Sequence, residues 1–220
     1  MQRQLNDVID SLVADCRPVQ PLRPPLTRAG LWLAFSVGLI LAITLMRGAR
    51  PGVALDLERP ETLIGFAAAL LTAATAAVAT FHVSVPGRSR AWALLPLPAL
   101  LLWLGSLGWG CLADWLRHGP DGLALGHSVE CFEAIVITSL PLGLILMIMV
   151  RHAGLVRPRT TALLGALSVS ALASAGVTFF HDADTAMMVL IWHMGTIGLL
   201  TLASWLGGDR LFAWIGPART

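Results

Sequence analysis

The chain has 220 residues, of which 56% are hydrophobic and only 13% are charged, and its formal net charge is +2. The mean hydropathy of +0.74 is well above that of a water-soluble domain of this length, so composition excludes an ordinary soluble globular protein. The small net charge also argues against a nucleic-acid-binding surface. We therefore expect an integral membrane protein that contacts the lipid bilayer and makes no direct contact with nucleic acid.

The N-terminal tail, residues 1–28, divides into an apolar-striped segment and a proline-rich spacer. In the first segment apolar residues recur at i, i+3, i+4, i+7 and i+8, which predicts a short amphipathic helix. The apolar stripe consists of Leu5, Val8, Ile9, Leu12 and Val13. The segment PVQPLRPP at 18–25 cannot continue a helix, because proline lacks the backbone N–H. It predicts a semi-rigid, extended spacer to the membrane.

An isolated helix as short as the one in the tail is marginal in water, so it needs a surface on which to fold. Its polar face carries Asp7 and Asp10, and Asp15 follows, so anionic lipid would repel it. A groove on a basic protein suits both the apolar stripe and the acidic face. The alternative is a tail that packs on its own helix bundle or is disordered.

Six apolar stretches are long enough to cross a bilayer, which takes about 20 residues. They span residues 29–46, 62–83, 92–112, 130–150, 160–180 and 186–206. The sequence therefore predicts an all-α fold, a polytopic membrane protein built as a bundle of six transmembrane helices. This domain, residues 29–206, would lie between the N-terminal tail and a C-terminal tail at 207–220.

The basic residues, 15 in number and all arginine, fall into two groups when the loops are assigned to alternate sides of the membrane. The larger group consists of Arg3, Arg17, Arg23, Arg28, Arg88, Arg90, Arg151, Arg157, Arg159, Arg210 and Arg219. The smaller group consists of Arg47, Arg50, Arg59 and Arg117. Because cytoplasmic loops hold the excess of positive charge, this distribution predicts that both termini are cytoplasmic.

Two cysteines lie near the predicted outer boundary, Cys111 at the end of the third helix and Cys131 at the start of the fourth. In an oxidising compartment such thiols can form and break a disulfide. Together with imidazole and carboxylate groups they can also bind a soft or borderline metal. The candidate ligands are Cys111, His127, Glu130, Cys131 and His181. The alternative is that each cysteine is a small buried apolar residue.

Motifs of enzyme chemistry are missing from the sequence: it has no phosphate loop, nucleophile elbow, HExxH helix or dinucleotide fingerprint. We expect no enzyme activity and no required cofactor. For His193, inside the sixth stretch, we expect a structural hydrogen bond rather than a proton path. Two other functions stay open: a membrane thiol-disulfide oxidoreductase, against which the absence of a CxxC pair counts, and a small metal transporter, which would need polar ligands through the bilayer centre.

Five segments distributed over nearly the whole chain carry a resemblance to a known family. They are RPPLTRAGLWLA at 23–34, HVSVPGR at 82–88, LGWGCLADW at 107–115, GHSVECF at 126–132 and FHDADTAMMVLIWH at 180–193. Together they resemble the NrsF family of bacterial negative regulators of sigma factor. The resemblance implies a six-helix anti-sigma factor of the bacterial inner membrane.

The resemblance also implies roles for the tail and the cysteines. The cytoplasmic N-terminal segment would bind an extracytoplasmic-function (ECF) sigma factor, here through the apolar stripe of the tail. Outward-facing cysteines would take part in release under metal or oxidative stress, and the matching thiols here are Cys111 and Cys131, with a metal ion bound at most transiently. Cys16 lies outside the matching segments and receives no sensor role.

Overall fold

A computed structural model describes residues 2–14, 22–123, 129–151, 153, 156–180 and 186–215. All regular secondary structure within these ranges is helical, which confirms the all-α prediction. The α-helices are α1 (Gln2–Ala14), α2 (Pro25–Arg47), α3 (Val53–Leu57), α4 (Pro60–Val83), α5 (Leu97–His118), α6 (Val129–Val150), α7 (Pro158–Val177), α8 (Ala186–Met188) and α9 (Gly195–Ile215). Short 3₁₀ helices span Arg90–Leu94 and Gly119–Leu123, and a π-helical segment, Val189–Met194, joins α8 to α9.

Six helical segments are long and apolar enough to cross a membrane, one for each predicted stretch. They are Pro25–Arg47, Pro60–Val83, Arg90–Asp121, Phe132–Val150, Pro158–Val177 and Val189–Trp214. Two of the helices extend beyond the predicted apolar stretches. The third helix continues past Leu112 to His118, and the last continues past Leu206 to Ile215, because both carry on as helix after their apolar runs become polar.

Proline marks the beginning of four of the long helices. It occupies the first or second position of α2, α4, α5 and α7. The residues are Pro25, Pro60, Pro98 and Pro158. At these positions the missing N–H costs nothing, because the first-turn amides have no intrahelical acceptor, and the fixed φ suits a helix.

The helix α7 lies at the centre of the bundle, where it packs on α4, α9 and α6, and nearly all of it is buried. Its small residues allow this. A Cβ at Gly165 would lie 2.7 Å from a leucine side chain of α6, and one at Gly176 would lie 2.8 Å from Ile40 Cγ2 of α2. The Ser168 hydroxyl donates to the Ala73 carbonyl of α4 at 2.7 Å. Small faces and interhelical hydrogen bonds of this kind hold helices together in a bilayer.

The described arginines lie at opposite ends of the bundle, in the two groups that the sequence predicts. We call the end that carries Arg23, Arg28, Arg88, Arg90, Arg151, Arg157, Arg159 and Arg210 the arginine-rich end. We call the end that carries Arg47, Arg50, Arg59 and Arg117 the paired end. At the arginine-rich end the starts of α2 and α7 meet the ends of α4, α6 and α9; at the paired end the ends of α2, α5 and α7 meet the start of α4.

Candidate functional site

The tail helix α1 is the part of the described chain that is least covered by the rest. Every side chain described in it, from residue 6 to residue 14, is exposed. The four apolar members of the stripe in this range are 53% (Val8), 47% (Ile9), 63% (Leu12) and 64% (Val13) exposed. The side chain of Leu5, the fifth member, lies outside the described residues. Its four described members therefore form an apolar face that no other part of the described chain covers, as helix-in-groove binding requires.

The polar face of α1 adds charge to this unpartnered surface. Asp7 and Asp10 are exposed on it, and the Ser11 hydroxyl donates to the Val8 carbonyl at 2.9 Å within the helix. A partner that covers the stripe would meet a negative rim. The spacer at 18–25 lies mostly outside the described residues, and its last two prolines, Pro24 and Pro25, open α2.

The two candidate sensor cysteines lie on α5 and α6. Cys111 is 9% exposed, and it lies seven residues before the end of α5 instead of at the helix end that the sequence predicts. This corresponds to about 10 Å along the axis. Cys131 lies in the first turn of α6, but its side chain is outside the described residues. The contact between these two thiols stays a prediction.

Most of the proposed metal ligands have side chains that lie outside the described residues. His127 and His181 lie outside the described residues, as do the side chains of Glu130 and Cys131. Within the described part of the chain, no group of three or more His, Cys, Asp and Glu side chains is arranged to hold a metal ion. The ligand set of Cys111, His127, Glu130, Cys131 and His181 therefore stays a prediction.

His193 makes the structural hydrogen bond that the sequence predicts. Its Nδ1 lies 2.7 Å from the Ser174 hydroxyl of α7, and the ring is buried. The surrounding segment, Val189–Met194, is π-helical, a wider helix form that the sequence does not reveal. The contact joins the sixth membrane-length segment to the central helix.

At the arginine-rich end, arginines that the sequence analysis used only to assign the side of the membrane make specific contacts. Arg28 is 4% exposed, donates through Nη2 to the Met149 carbonyl and lies over the Phe81 ring, 4.9 Å from its centroid. At the same end, three further arginines and Asp209 line one cavity. The nearest signal in the sequence is the pair of motifs VRPRT at 156–160 and GGDR at 207–210, but nothing in either motif indicates that they meet.

Comparison with known protein families gives a match along most of the chain. The model of the NrsF family, described as "Negative regulator of sigma F", matches residues 12–214. The comparisons with curated proteins and with solved structures give no match. The matched range begins inside α1 and ends one residue before the end of α9.

Proposed function

We propose, because the chain belongs to the NrsF family of negative regulators of sigma F, that it is a membrane anti-sigma factor that binds an ECF-type sigma factor through α1. The observation that carries this proposal is the exposed apolar stripe of α1 on a chain whose family regulates a sigma factor. The activity is one of binding, and it needs no catalytic group.

We propose a location in the inner membrane, and the apolar surface of the bundle supports a location in a membrane. Large apolar side chains point outward along the six membrane-length segments. Examples from five different helices are Leu41, Leu71, Leu101, Leu140 and Leu202, each more than half exposed. A water-soluble monomer rarely exposes so large an apolar surface, whereas lipid tails would cover it.

The orientation that we propose for the bundle in the membrane rests on the different arginine content of its two ends. The arginine-rich end would face the cytoplasm and the paired end the periplasm, because positive charge is retained on the cytoplasmic side. The chain enters α2 at Pro25, at the arginine-rich end, so α1 would lie in the cytoplasm with the sigma factor. The helix α9 ends at the same side of the bundle, so the C-terminal tail would also lie in the cytoplasm.

Binding to α1 would inhibit by competition. If α1 covers the sigma surface that core RNA polymerase requires, the two cannot bind the sigma factor together. Anchoring to the membrane keeps a captured sigma factor at high effective concentration near its inhibitor. The four exposed apolar side chains would be buried in the partner's groove, and Asp7 and Asp10 would face basic groups at its rim.

A truncation tests this function directly. Full-length protein and a version without residues 1–17 are each purified from detergent-solubilised host membranes, and the retained proteins are identified by mass spectrometry. The proposal predicts a sigma factor with the full-length protein only. Retention of the same sigma factor by both versions would show that another surface binds it, and its absence from both would contradict the function.

Release would begin at the periplasmic side of α5 and α6. Oxidation of Cys111 and Cys131 would join their sulfurs in a disulfide, with two protons and two electrons lost to a periplasmic oxidant. A soft or borderline metal would instead bind the two thiolates together with nearby imidazole and carboxylate groups. Because Cys111 is buried, either event would change the packing around α5, and we infer that this change would shift the bundle between two states.

The double variant Cys111→Ser, Cys131→Ser tests the sensor role. We expect it to retain the sigma factor as well as the natural protein does, and to keep it when diamide or zinc is added to membranes. Cys16→Ser is the matched control, since it removes the third cysteine and should leave release unchanged. Equal release from the double variant and from the control would contradict a role for these two thiols.

A further inference from the structure

A cavity of about 430 Å³ opens at the arginine-rich end, within the roughly 300–1,000 Å³ range of small-ligand pockets. It lies between the end of α4, the 3₁₀ helix at Arg90–Leu94, the start of α7 and the last part of α9. Its apolar wall includes Val83 and Ala93. Its charged groups are Arg90, Arg157, Arg159 and Asp209.

The fold holds two of these arginines in place. Arg157 donates through Nη1 to the Arg88 carbonyl at 3.1 Å, and Arg159 donates through Nε to Asp209 Oδ2 at 2.5 Å. The second contact depends on Gly208, since a Cβ there would lie only 2.8 Å from the Arg159 Cα. The close approach of α9 to the start of α7 therefore positions the charged wall of the cavity.

The charge of the cavity is not balanced by its own groups. Three arginines face one carboxylate, and that carboxylate is bonded to Arg159. Arg90 is exposed, and its side chain makes no hydrogen bond or ion pair with any residue that the structure describes. The cavity wall also includes Arg159 and Thr160, whose backbone amides belong to the first turn of α7 and have no intrahelical acceptor. An anion would neutralise the excess charge and accept from these donors.

We propose that this cavity binds a phosphate group, carried either by an anionic phospholipid headgroup or by a soluble phosphate. The planar guanidinium of arginine matches two oxygens of one phosphate, and a helix N-terminus adds backbone donors and a partial positive charge. The site goes beyond sigma binding, and only the lipid source depends on the proposed membrane location. An apolar wall beside the charged one suits a headgroup whose acyl chains continue into the bilayer.

The test measures binding to the full-length protein in detergent at constant ionic strength. The probes are inorganic phosphate and dihexanoyl phosphatidylglycerol, with dihexanoyl phosphatidylcholine as the zwitterionic control. Binding is followed by the thermal shift of the intrinsic fluorescence, to which the 8 tryptophans contribute. The variants are Arg90→Gln, which removes a charge without a partner among the described residues, Asp209→Asn, which removes the acid, and Arg151→Gln, a matched loss of charge outside the cavity.

We expect about tenfold weaker binding in Arg90→Gln, the usual effect of losing one hydrogen bond to a charged group. Asp209→Asn should bind more tightly and Arg151→Gln as the natural protein does. If only phosphatidylglycerol gives this pattern, the ligand is a lipid headgroup. If inorganic phosphate gives it as well, the ligand is a soluble phosphate.

Three results would overturn the phosphate site. They are no binding of either anion, equal losses in Arg90→Gln and Arg151→Gln, or binding of phosphatidylcholine as tight as that of phosphatidylglycerol with no difference between the variants. Sigma retention, measured on the same variants, separates the two proposals. Arg90→Gln should keep the sigma factor, and a variant that loses the sigma factor while binding phosphate normally would assign the cavity to the protein partner.

Discussion

The arginines at the two ends of the bundle differ in their binding partners. At the paired end, Arg50 Nη2 lies 2.7 Å from Asp56 Oδ2, and Arg117 lies 3.3 Å from Glu61. At the arginine-rich end, Arg159 with Asp209 is the one ion pair among the described residues, while Arg28 and Arg157 donate to backbone carbonyls. One end neutralises its own charge, and the other keeps a cationic excess.

This contrast indicates what each end contributes. Arg50 and Arg117, which bond to groups from other parts of the bundle, stabilise the packing at the paired end, where the proposed signal-sensing thiols also lie. The excess charge at the arginine-rich end is available to anionic groups outside the chain, in the lipid or in solution. The same end leads into α1, so the surfaces that we expect to meet partners lie on one side of the molecule.

The substitution with the largest expected effect on stability lies at the arginine-rich end. Gly208→Leu should lower the free energy of unfolding by about 3 kcal/mol, because its Cβ would lie only 2.8 Å from the backbone of α7. Gly207→Leu is the matched control, since a Cβ there meets nothing within 4 Å. Thermal unfolding in detergent compares them, and equal Tm values would contradict the close packing of α9 on α7.

A substitution at the paired end should have a smaller effect on stability, and it tests whether the ion pairs there stabilise the bundle. Arg50 donates through Nε to the Thr178 carbonyl at 3.0 Å, in addition to its ion pair with Asp56, and its side chain is only 13% exposed. Arg50→Gln should cost about 2 kcal/mol, within the usual range for hydrogen bonds to charged groups. Arg59→Gln at the same end, where the arginine is exposed, should leave Tm nearly unchanged. Similar losses in both would show that the pairing at this end does not stabilise the bundle.

Most of the fold could be predicted from the sequence, because runs of apolar residues long enough for a bilayer are a strong signal. The ends were less predictable. Trp115 and Leu116 continue α5 beyond the apolar run, between polar neighbours, and the glycines at 207 and 208 stay within α9 instead of ending it. Gly208 lies against α7, and the local sequence pattern does not reveal such a contact between helices.

The candidate binding segment could also be predicted, since the spacing of Val8, Ile9, Leu12 and Val13 defines one helix face locally. The cavity at the arginine-rich end could not. Its residues come from positions 90, 157, 159 and 209, and only the packing of α4, α7 and α9 brings them together. The number of arginines in each loop predicts which side of the membrane the loop occupies. It does not indicate which arginines form ion pairs.

The central claim, that the exposed face of α1 captures a sigma factor, is tested most directly by Ile9→Asp in the full-length protein. Ile9 is exposed, so Tm should not change, and this variant has the smallest expected effect on stability. Ser11→Asp adds the same charge on the polar face and serves as the control. The account predicts that Ile9→Asp loses the sigma factor in a pull-down while Ser11→Asp keeps it. Equal retention by the two variants would contradict it.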